Sequence, residues 1–276
     1  WLGAEAENAA AENPPTFIRN SVAYQSDGTQ VAANQPRFEQ GKFGKAVMVE
    51  EGTENLLPKI QDWRNYTNRQ FEIISDYEVK ILPGDYRYFI YYIPVTEGNI
   101  YTLSGKYVTG TGQIYFYWCD ANKNRISTSR IAPCTEETIT GAAYAEVILH
   151  NRDDENEVIL KDWQFEQKPY ATSFIDGTRS PETLTIPTAG VLNPQEGTIE
   201  CWVNLNTWVD NVSSYCLWSL NGSVRLDMWF SRGIDNRLAV YDGATWLNSG
   251  VAGNSFVGSW HYIAYTWGSF GQKIYV

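Results

Sequence analysis

Between residues 87 and 167 the chain consists of short strand-like runs separated by turns, and this pattern constrains the fold most. The runs are RYFIYYIPV (87–95), NIYTLSGKYVTG (99–110), QIYFYWCDANKNRIS (113–127), AYAEVILHN (143–151) and EVILKDWQFEQ (157–167). The first is dense in aromatic and β-branched residues, and the second alternates with the period of two that is typical of strands; no convincing helix lies among them. Five or six such strands predict a β-sandwich.

A second strand-rich block runs from about residue 171 to the end. Its strands are ETLTIPT (182–188), GTIECWVNL (197–205), YCLWSL (215–220), VRLDMWFS (224–231), RLAVYDG (237–243) and HYIAYTW (261–267). The chain stops in QKIYV, which reads as one more strand, so we expect the gene product to continue beyond it. The predicted fold class is all-β, with two β-sandwich (jelly-roll) domains.

Charge and hydropathy exclude two classes of partner. The net charge of −11 argues against a nucleic-acid partner, which would need a basic face, and against binding to anionic lipid. No run approaches the ~18 apolar residues of a membrane span, so we expect no membrane insertion.

Four cysteines lack the C-x-x-C spacing of zinc or redox sites. Two disulfides, Cys119–Cys134 and Cys201–Cys216, and four buried thiols are both compatible with their positions.

The second block resembles the laminin G-like, concanavalin A-type lectin sandwiches. The matching segments are EGTIECWVNL (196–205), VRLDMWF (224–230), RLAVYDG (237–243) and GSWHYIAYTW (258–267), with QKIYV behind them. In that family the first strand commonly reads G-K-x-G-x-A before an apolar strand, and GKFGKAVMV (41–49) fits this description. A strand like ETLTIPTAG (182–190) usually follows soon afterwards, whereas here more than a hundred residues intervene.

The intervening block is similar to the carbohydrate-binding modules of families four and nine. It opens with Asn55-Leu56-Leu57 and contains VTEGNIYTLSGKYVTGTGQIYFYWCDANKNRI (95–126), and it closes with VILKDWQFEQKPYATSF (158–174). The whole stretch from residue 17 to residue 276 resembles proteins of bacteriophage tails and related bacterial surface proteins.

These resemblances imply a nested arrangement. Residues 1–16 are expected to form a linker or short helix that stops at Pro14-Pro15, and residues 17–54 an arm with the first strand of the lectin-like sandwich. Residues 55–170 would be the inserted module, and residues 171–276 the remainder of the lectin-like sandwich, truncated at its C-terminus. A sandwich accepts an insert at an exposed turn when the ends of the insert lie close together. A tandem order with an independent N-terminal arm is the alternative, and pairing of Val47–Val49 with the second block would decide between them.

Aromatic side chains on a common strand face are the best sugar-binding candidates in the module. A pyranose ring stacks on flat apolar faces, and nearby polar groups hold its hydroxyls. Tyr115 and Tyr117 share one face of their strand, with Phe116 and Trp118 opposite, and one of the two sets must belong to the core. Tyr88 lies in a neighbouring tyrosine-rich strand and is the third candidate in the module.

The lectin-like block offers a second set of candidates. Trp208 and Trp246 lie in loop-like contexts, NTWVDN and GATWLN, and Tyr241 precedes Trp246 by five residues. An exposed Trp246 beside Tyr241, Asp242 and Asn248 would suit a small saccharide. Three further tryptophans lie within strands and are expected to be packing residues: Trp202, Trp229 and Trp267.

The resemblance also implies a structural calcium ion, which would take hard oxygen ligands from loops. Asp162 in KDWQFE matches the position of a carboxylate ligand in the last strand of the resembling modules, and Glu54 is the possible partner.

Catalysis finds little support in the sequence. His150 and His261 both lie in apolar strand patterns and read as structural residues, and no G-x-S-x-G, H-E-x-x-H or P-loop motif occurs. Glu196, Glu200 and Asp227 lie in strands of a sandwich type that some hydrolases share, so a polysaccharide-degrading enzyme stays the third hypothesis.

The leading expectation is a non-catalytic carbohydrate-recognising protein on a phage virion or a bacterial cell surface, with a cell-surface or environmental polysaccharide as its partner. Other virion or surface proteins and further copies of the chain are possible protein partners. The alternative is a decoration or fibre subunit that uses its sandwiches for assembly.

Overall fold

The computed structural model describes residues 14–41, 44–65, 71–84, 88–153, 155–187, 192–193, 195–205, 215–220, 226–231 and 236–276. Strands dominate these residues, and the helical turns among them are two short 3-10 turns, Ile60–Asp62 and Gly253–Phe256, which confirms the all-β fold class. No helix in the described part of the chain is long and apolar enough to span a membrane. The expected linker or helix over residues 1–16 falls almost entirely outside the described residues.

The chain divides into two compact units, residues 1–187 and residues 188–276. The described strands of the first unit are β1 (Thr16–Ile18), β2 (Ala23–Tyr24), β3 (Gln30–Val31), β4 (Arg37–Gly41), β5 (Gly44–Met48), β6 (Thr53–Glu54), β7 (Arg64–Asn65), β8 (Phe71–Ser75), β9 (Glu78–Ile81), β10 (Tyr88–Pro94), β11 (Ile100–Thr109), β12 (Gly112–Cys119), β13 (Arg130–Ile131), β14 (Cys134–Glu137), β15 (Tyr144–Asn151), β16 (Val158–Glu166), β17 (Thr178–Arg179) and β18 (Thr183–Thr185).

Two five-stranded antiparallel sheets form the sandwich of the first unit. One has the strand order β13-β12-β15-β10-β7 and the other β14-β11-β16-β9-β8. Alternation along each strand sends one set of side chains into a shared core, including Phe116 and Trp118 of β12 and Val147 of β15. Full burial of side chains of this size contributes roughly 1.5–3 kcal/mol each. The predicted division of β12 into two faces is thus confirmed, and of the two sets left open as the core it is Phe116 and Trp118 that are buried.

A bulge in β16 changes which side chains of that strand enter the core. Val158 and Leu160 face inward, but Asp162 has a left-handed backbone (φ 53°), so the alternation shifts by one residue and Trp163 becomes fully buried. Gly105 lies on β11 opposite the bulge, and a Cβ atom there would come within 2.4 Å of Ile114 Cδ1. The glycine thus leaves room for Ile114 next to the bulged strand, whose Trp163 Cα would lie 3.4 Å from such a Cβ atom.

A buried charge network fastens the N-terminal arm to the chain that follows the module. The side chains of Arg19, Arg37 and Glu182 are fully buried. Glu182 accepts hydrogen bonds from Arg19 Nη1 (2.9 Å) and from Arg37 Nη2 (2.8 Å). Glu50 accepts from Arg37 Nη2 (2.7 Å) and lies 3.3 Å from Arg179 Nη1. These residues come from both sides of residues 55–170, so the network ties together two distant parts of the sequence.

Burial raises the pKa of the Glu50 carboxyl, but hydrogen bonds from Ser173 and Arg37 and the charge of Arg179 outweigh this effect. The pKa of Glu50 is therefore lower than its ordinary value, and the carboxylate stays charged within the network.

Short strand pairs extend the same connection. Phe17 of β1 lies opposite Leu184 of β18, and Glu54 of β6 lies opposite Thr178 of β17. The Asn55 side chain then joins the two ends of the module. It donates from Nδ2 to the carbonyl oxygens of Trp163 (3.1 Å) and Ile175 (3.2 Å). The start and the end of residues 55–175 thus lie side by side, as an inserted domain requires.

The pairing expected for Val47–Val49 is wrong. Val47 lies opposite Phe38 and Met48 opposite Arg37 in a hairpin of β4 and β5, and within the described residues neither pairs with the second strand-rich block. Gly41 and Gly44 are paired at the end of this hairpin, and Gly44 has a positive φ of 103°. Glycines so close together favour an immediate reversal of the chain, so β5 takes the strand just before it as its partner. The nested arrangement and its domain boundaries stay a prediction that lacks this pairing.

The second unit contains a three-stranded and a four-stranded antiparallel sheet, ordered β19-β24-β25 and β20-β21-β22-β23. Its described strands are β19 (Gly197–Val203), β20 (Tyr215–Leu220), β21 (Leu226–Ser231), β22 (Arg237–Tyr241), β23 (Trp246–Ala252), β24 (His261–Gly268) and β25 (Gly271–Tyr275). Leu238, Val240, Phe256, Ile263 and Tyr265 are buried at its core. Trp267 packs against this core with its ring stacked on Tyr265, as expected for a packing residue.

All four cysteines are thiols in the structure, so neither of the two possible disulfides forms. Cys119 is buried and Cys134 and Cys201 are half-buried, but Cys216 is exposed, so the alternative of four buried thiols is also incorrect.

Candidate functional site

The outer face of the sheet β13-β12-β15-β10-β7 gathers five tyrosines. On β12, Phe116 and Trp118 point into the core, so the alternate residues Tyr115 and Tyr117 point outward. Strands β10 and β15 add three more tyrosines to this outer face. We call this surface the tyrosine face, and it consists of Tyr88, Tyr92, Tyr115, Tyr117 and Tyr144 with Ile90, Ile148, Glu146 and His150. The three tyrosines predicted from the module sequence, Tyr88, Tyr115 and Tyr117, all lie on it.

Ile90, Ile148 and Tyr115 are buried at the base of the tyrosine face, and Tyr88, Tyr92 and Tyr117 are half-buried around them. The rings of Tyr115 and Tyr117 meet edge to face at 5.9 Å. The face is thus an apolar surface with hydroxyl groups at its margin, which is the chemistry that suits a sugar ring.

Glu146 is the polar centre of the tyrosine face. It is only 3 % exposed, and its two oxygens have separate partners. Tyr92 donates its hydroxyl proton to Oε1 (2.8 Å), and Arg125 donates from Nε to Oε2 (2.5 Å). Burial raises the pKa of Tyr92 to about 12, and the hydrogen bond to the charged Glu146 adds to this effect. Tyr92 is therefore a neutral hydrogen-bond donor at physiological pH.

His150 connects two of the tyrosines. Its Nδ1 lies 3.3 Å from the Tyr115 hydroxyl oxygen, and its ring meets the Tyr88 ring edge to face at 5.6 Å. The expectation of a structural histidine agrees with these contacts, but the residue belongs to the candidate site and not to the core. Sequence reasoning missed His150, Glu146 and Tyr92 as members of the site. In YAEVILHN, Glu146 and His150 fall on the same side as Tyr144 and opposite Ala145, Val147 and Leu149, and this alternation is the signal that would have placed His150 and Glu146 on the outer face.

The loop after β12 places two cations over the tyrosine rings. The Lys123 ammonium lies 4.7 Å from the centre of the Tyr92 ring, and the Arg125 guanidinium lies 4.1 Å from that of Tyr117. A third cation, Arg152 at the end of β15, lies 5.6 Å from the centre of the Tyr115 ring. Cation–π contacts of this kind fix both the cation and the ring.

The second predicted aromatic pair lies in the second unit. Trp246 is 43 % exposed, and its ring centre is 5.0 Å from that of Tyr241, so the expected exposure beside Tyr241 is confirmed. Asp242 accepts hydrogen bonds from the backbone N–H of Thr245, from Gln272 Nε2 and from the backbone N–H of Ala244, and these lower its pKa to about 2. The Asp242 carboxylate is thus already hydrogen-bonded to its own turn and to Gln272. Trp208 lies outside the described residues.

The expectation that Trp202 is a packing residue is wrong. β19 alternates strictly, with Ile199 and Val203 towards the core, and Trp202 is 50 % exposed on the other side. Its ring centre is 5.4 Å from that of Tyr262, whose hydroxyl donates to the Glu200 carboxylate. We call Trp202, Tyr262 and Glu200 the β19–β24 patch. Thr198 and Glu200 lie four and two residues before Trp202 and therefore on the same side of the strand, and these polar residues were the sequence signal for its outward orientation.

The predicted calcium ligands lie in different surroundings. The Asp162 carboxylate faces Lys106 Nζ at 2.8 Å and lines a cavity of about 580 Å³ together with Tyr24, Asp27, Asp76, Tyr77, Phe174 and Asp176. Glu54 is exposed in β6 and is not part of that lining. Across the described residues no group of three or more histidine, cysteine or acidic side chains is arranged to hold a metal ion. The calcium site stays a prediction.

A scan against models of known protein families gives no match, and a search of curated proteins finds no similar one. The lectin-like and carbohydrate-module resemblances therefore stay predictions, and a functional proposal has to be based on the tyrosine face and its neighbours.

Proposed function

We propose that the chain is a non-catalytic carbohydrate-binding protein of a phage virion or bacterial cell surface, and that the tyrosine face holds the glycan. The observation that carries this proposal is the convergence of five tyrosines from three adjacent strands on one outer sheet face, around a buried carboxylate. An ordinary outer sheet face would be polar, because alternate residues of a half-buried strand face water.

The chemistry of the tyrosine face suits a sugar in two ways. Its rings offer apolar area for the C–H side of a pyranose, and tyrosine loses little conformational entropy on binding because it has only two side-chain torsions. The Tyr92 hydroxyl and the charged rim supply polar partners for ring hydroxyls. Mutual packing of the tyrosines and the bond to Glu146 hold these groups in place before a ligand arrives, which lowers the cost of binding.

Affinity electrophoresis in gels that contain soluble polysaccharides tests this proposal. We expect migration to be retarded by at least one bacterial cell-wall or capsular polysaccharide, and Tyr88→Ala and Tyr117→Ala to remove most of the retardation. Trp246→Ala is the matched control, because it removes an exposed aromatic ring that belongs to the second unit. Loss of retardation in the Trp246 variant alone would move the site to Tyr241 and Trp246. Unretarded migration in every gel would contradict carbohydrate binding.

The β19–β24 patch favours a second candidate function, a structural subunit that assembles through its sandwich surfaces. Trp202 and Tyr262 are 50 % and 41 % exposed, and exposed aromatic patches often mark protein interfaces. Light scattering after size exclusion would show an oligomer that Trp202→Ala dissociates. A monomer at high concentration, unchanged by that substitution, would contradict the assembly function.

A catalytic function is the third candidate, and we do not favour it. Glu200 accepts a hydrogen bond from Tyr262 within the β19–β24 patch, and the Asp227 side chain lies outside the described residues. Release of reducing sugar that Glu200→Gln abolishes would revive this candidate.

A further inference from the structure

Three cations lie over the rings of the tyrosine face, although the protein as a whole is acidic. Lys123, Arg125 and Arg152 all lie over its rings, whereas Glu146 is the one carboxylate among the residues that define the face. Both oxygens of Glu146 are occupied, by Tyr92 and Arg125. Asp120 and Asp153 lie near these cations in the chain and accept hydrogen bonds within their own turns, whereas the three cations contact the rings of the face, in a chain whose net charge is −11.

Two of these cations have no anionic partner in the part of the chain that the structure describes. Lys123 and Arg152 form no ion pair with any carboxylate of the described residues, and both are exposed at the rim of the face. Their described partners are aromatic rings: Tyr92 and Tyr144 for Lys123, and Tyr115 for Arg152. A cation without a carboxylate keeps its full capacity to bind an anion from solution.

The loop that presents Lys123 and Arg125 is built to a fixed shape. Asp120 Oδ1 accepts from the backbone N–H groups of Asn122 (2.9 Å) and Asn124 (2.8 Å), and the Asp120 N–H donates to the Asn124 carbonyl oxygen (2.9 Å). Lys123 has a left-handed backbone (φ 65°) within this turn. Its position over the Tyr92 ring therefore follows from a hydrogen-bonded turn and not from a free side chain alone.

We infer that the glycan bound at the tyrosine face is anionic, a polysaccharide whose sugar units carry carboxylate or phosphate groups. This inference depends on the proposed function and specifies its ligand class. A guanidinium that lies flat on a tyrosine ring keeps its N–H edges directed away from the ring, where they meet the oxygens of a carboxylate or phosphate. Lys123 and Arg125 follow the end of β12 and Arg152 follows the end of β15, and because these strands are antiparallel the cations lie at opposite ends of the pair. Cations separated in this way suit charges that repeat along a chain better than a single ion.

Matched pairs of polysaccharides test the inference. Polygalacturonate is compared with its carboxyl-reduced, neutral form, and dextran phosphate with unmodified dextran, all by affinity electrophoresis. We expect at least one acidic member to bind about tenfold or more tightly than its neutral form, since one or two charge-assisted hydrogen bonds are lost. The two pairs distinguish carboxylate from phosphate as the recognised group.

Charge-removing variants locate the effect. Lys123→Gln with Arg152→Gln should weaken binding to the acidic polysaccharide about tenfold or more, and should flatten the dependence of binding on salt. Lys45→Gln is the control, because Lys45 is also exposed and also lies over an aromatic ring, that of Phe38, but in the N-terminal arm. Far-ultraviolet circular dichroism confirms that the variants are folded.

The outcomes separate the two proposals. Equal binding of the acidic and neutral forms, or binding of the acidic form that the double variant leaves unchanged, would overturn the anionic class and leave carbohydrate binding intact. Absence of binding to all members and to the wider polysaccharide panel would overturn both.

Discussion

The buried network around Glu182 gives the sharpest prediction for stability. We expect Glu182→Gln to destabilise the first unit strongly, because the substitution keeps the volume of the side chain and removes its charge. Glu182 is fully buried and accepts three hydrogen bonds from two guanidinium groups, as well as the backbone N–H of Glu50 (2.8 Å). A glutamine offers one carbonyl oxygen to the same donors and places an amide N–H₂ group against the others.

The size of the effect follows from burial. Removing one partner of a buried ion pair costs about 3–5 kcal/mol, since the remaining charge is left in a medium that solvates it poorly. Glutamine retains some of the accepted hydrogen bonds, so the lower end, about 3 kcal/mol, applies. For a unit of this length each kcal/mol shifts the Tm by about 2–4 °C, which predicts a fall of about 6–12 °C.

Differential scanning calorimetry measures the shift, and limited proteolysis shows where the structure opens. Cleavage of the variant should begin in residues 19–50, because the network holds that arm. Glu72→Gln is the control: it removes an exposed pair, with Glu72 Oε2 2.6 Å from Lys80 Nζ and the Glu72 side chain 62 % exposed. Such pairs contribute about 0–1 kcal/mol. Equal Tm shifts for the two variants would refute the role of the network.

Three further outcomes are expected. Gly110→Ala should lower the free energy of unfolding by at least about 2 kcal/mol, because φ is +73° and a Cβ atom would lie 2.7 Å from a backbone oxygen. Gly98→Ala is the control, because Gly98 has a similar φ of +78° but open space around it, so its loss of stability measures the backbone strain alone. Equal losses of stability in urea unfolding would contradict the steric clash at Gly110. The pKa of Asp242 is lowered to about 2 in the folded state, so the ionised carboxylate stabilises the fold fully above about pH 4 and loses this effect as the pH falls towards 2. The difference in Tm between the wild type and Asp242→Asn should therefore vanish over that pH range. A thiol reagent should label Cys216 in the native protein and Cys119, whose pKa burial raises to about 11, only after unfolding.

Local pattern predicts the long strands β10, β11, β12, β15 and β16, but not β8 and β9. It also separates Tyr115 and Tyr117 from Phe116 and Trp118 on β12, and the structure shows which of the two sets is the core: Phe116 and Trp118 face inward. The bulge at Asp162 does not follow from the sequence, because nothing in KDWQFE marks a left-handed residue. The prediction for Trp202 was wrong for a different reason. It was based on the size and hydrophobicity of the side chain, whereas the alternation of β19 places residue 202 on the polar side of the strand.

Long-range polar contacts are the part that sequence could not supply. Glu182 lies 145 residues from Arg37 and 163 residues from Arg19, and isolated arginines and glutamates in turn-rich segments look like solvated surface. The same holds for the tyrosine face, where Arg125 reaches Glu146 across a sheet. Only the register of β12, β15 and β10 brings these residues together.

The closed ends of residues 55–175 have a mechanical consequence. Because β6 and β17 are antiparallel and Glu50 and Glu182 meet at their outer end, a force that pulls the arm away from residue 182 opens this junction one contact at a time. The β1–β18 pair and the buried arginine–glutamate network take the load first, and Asn55 takes it last. The two sheets of the sandwich, and the tyrosine face on one of them, bear no tension until the junction has unzipped. Such a force would thus leave the tyrosine face undistorted until the arm detaches.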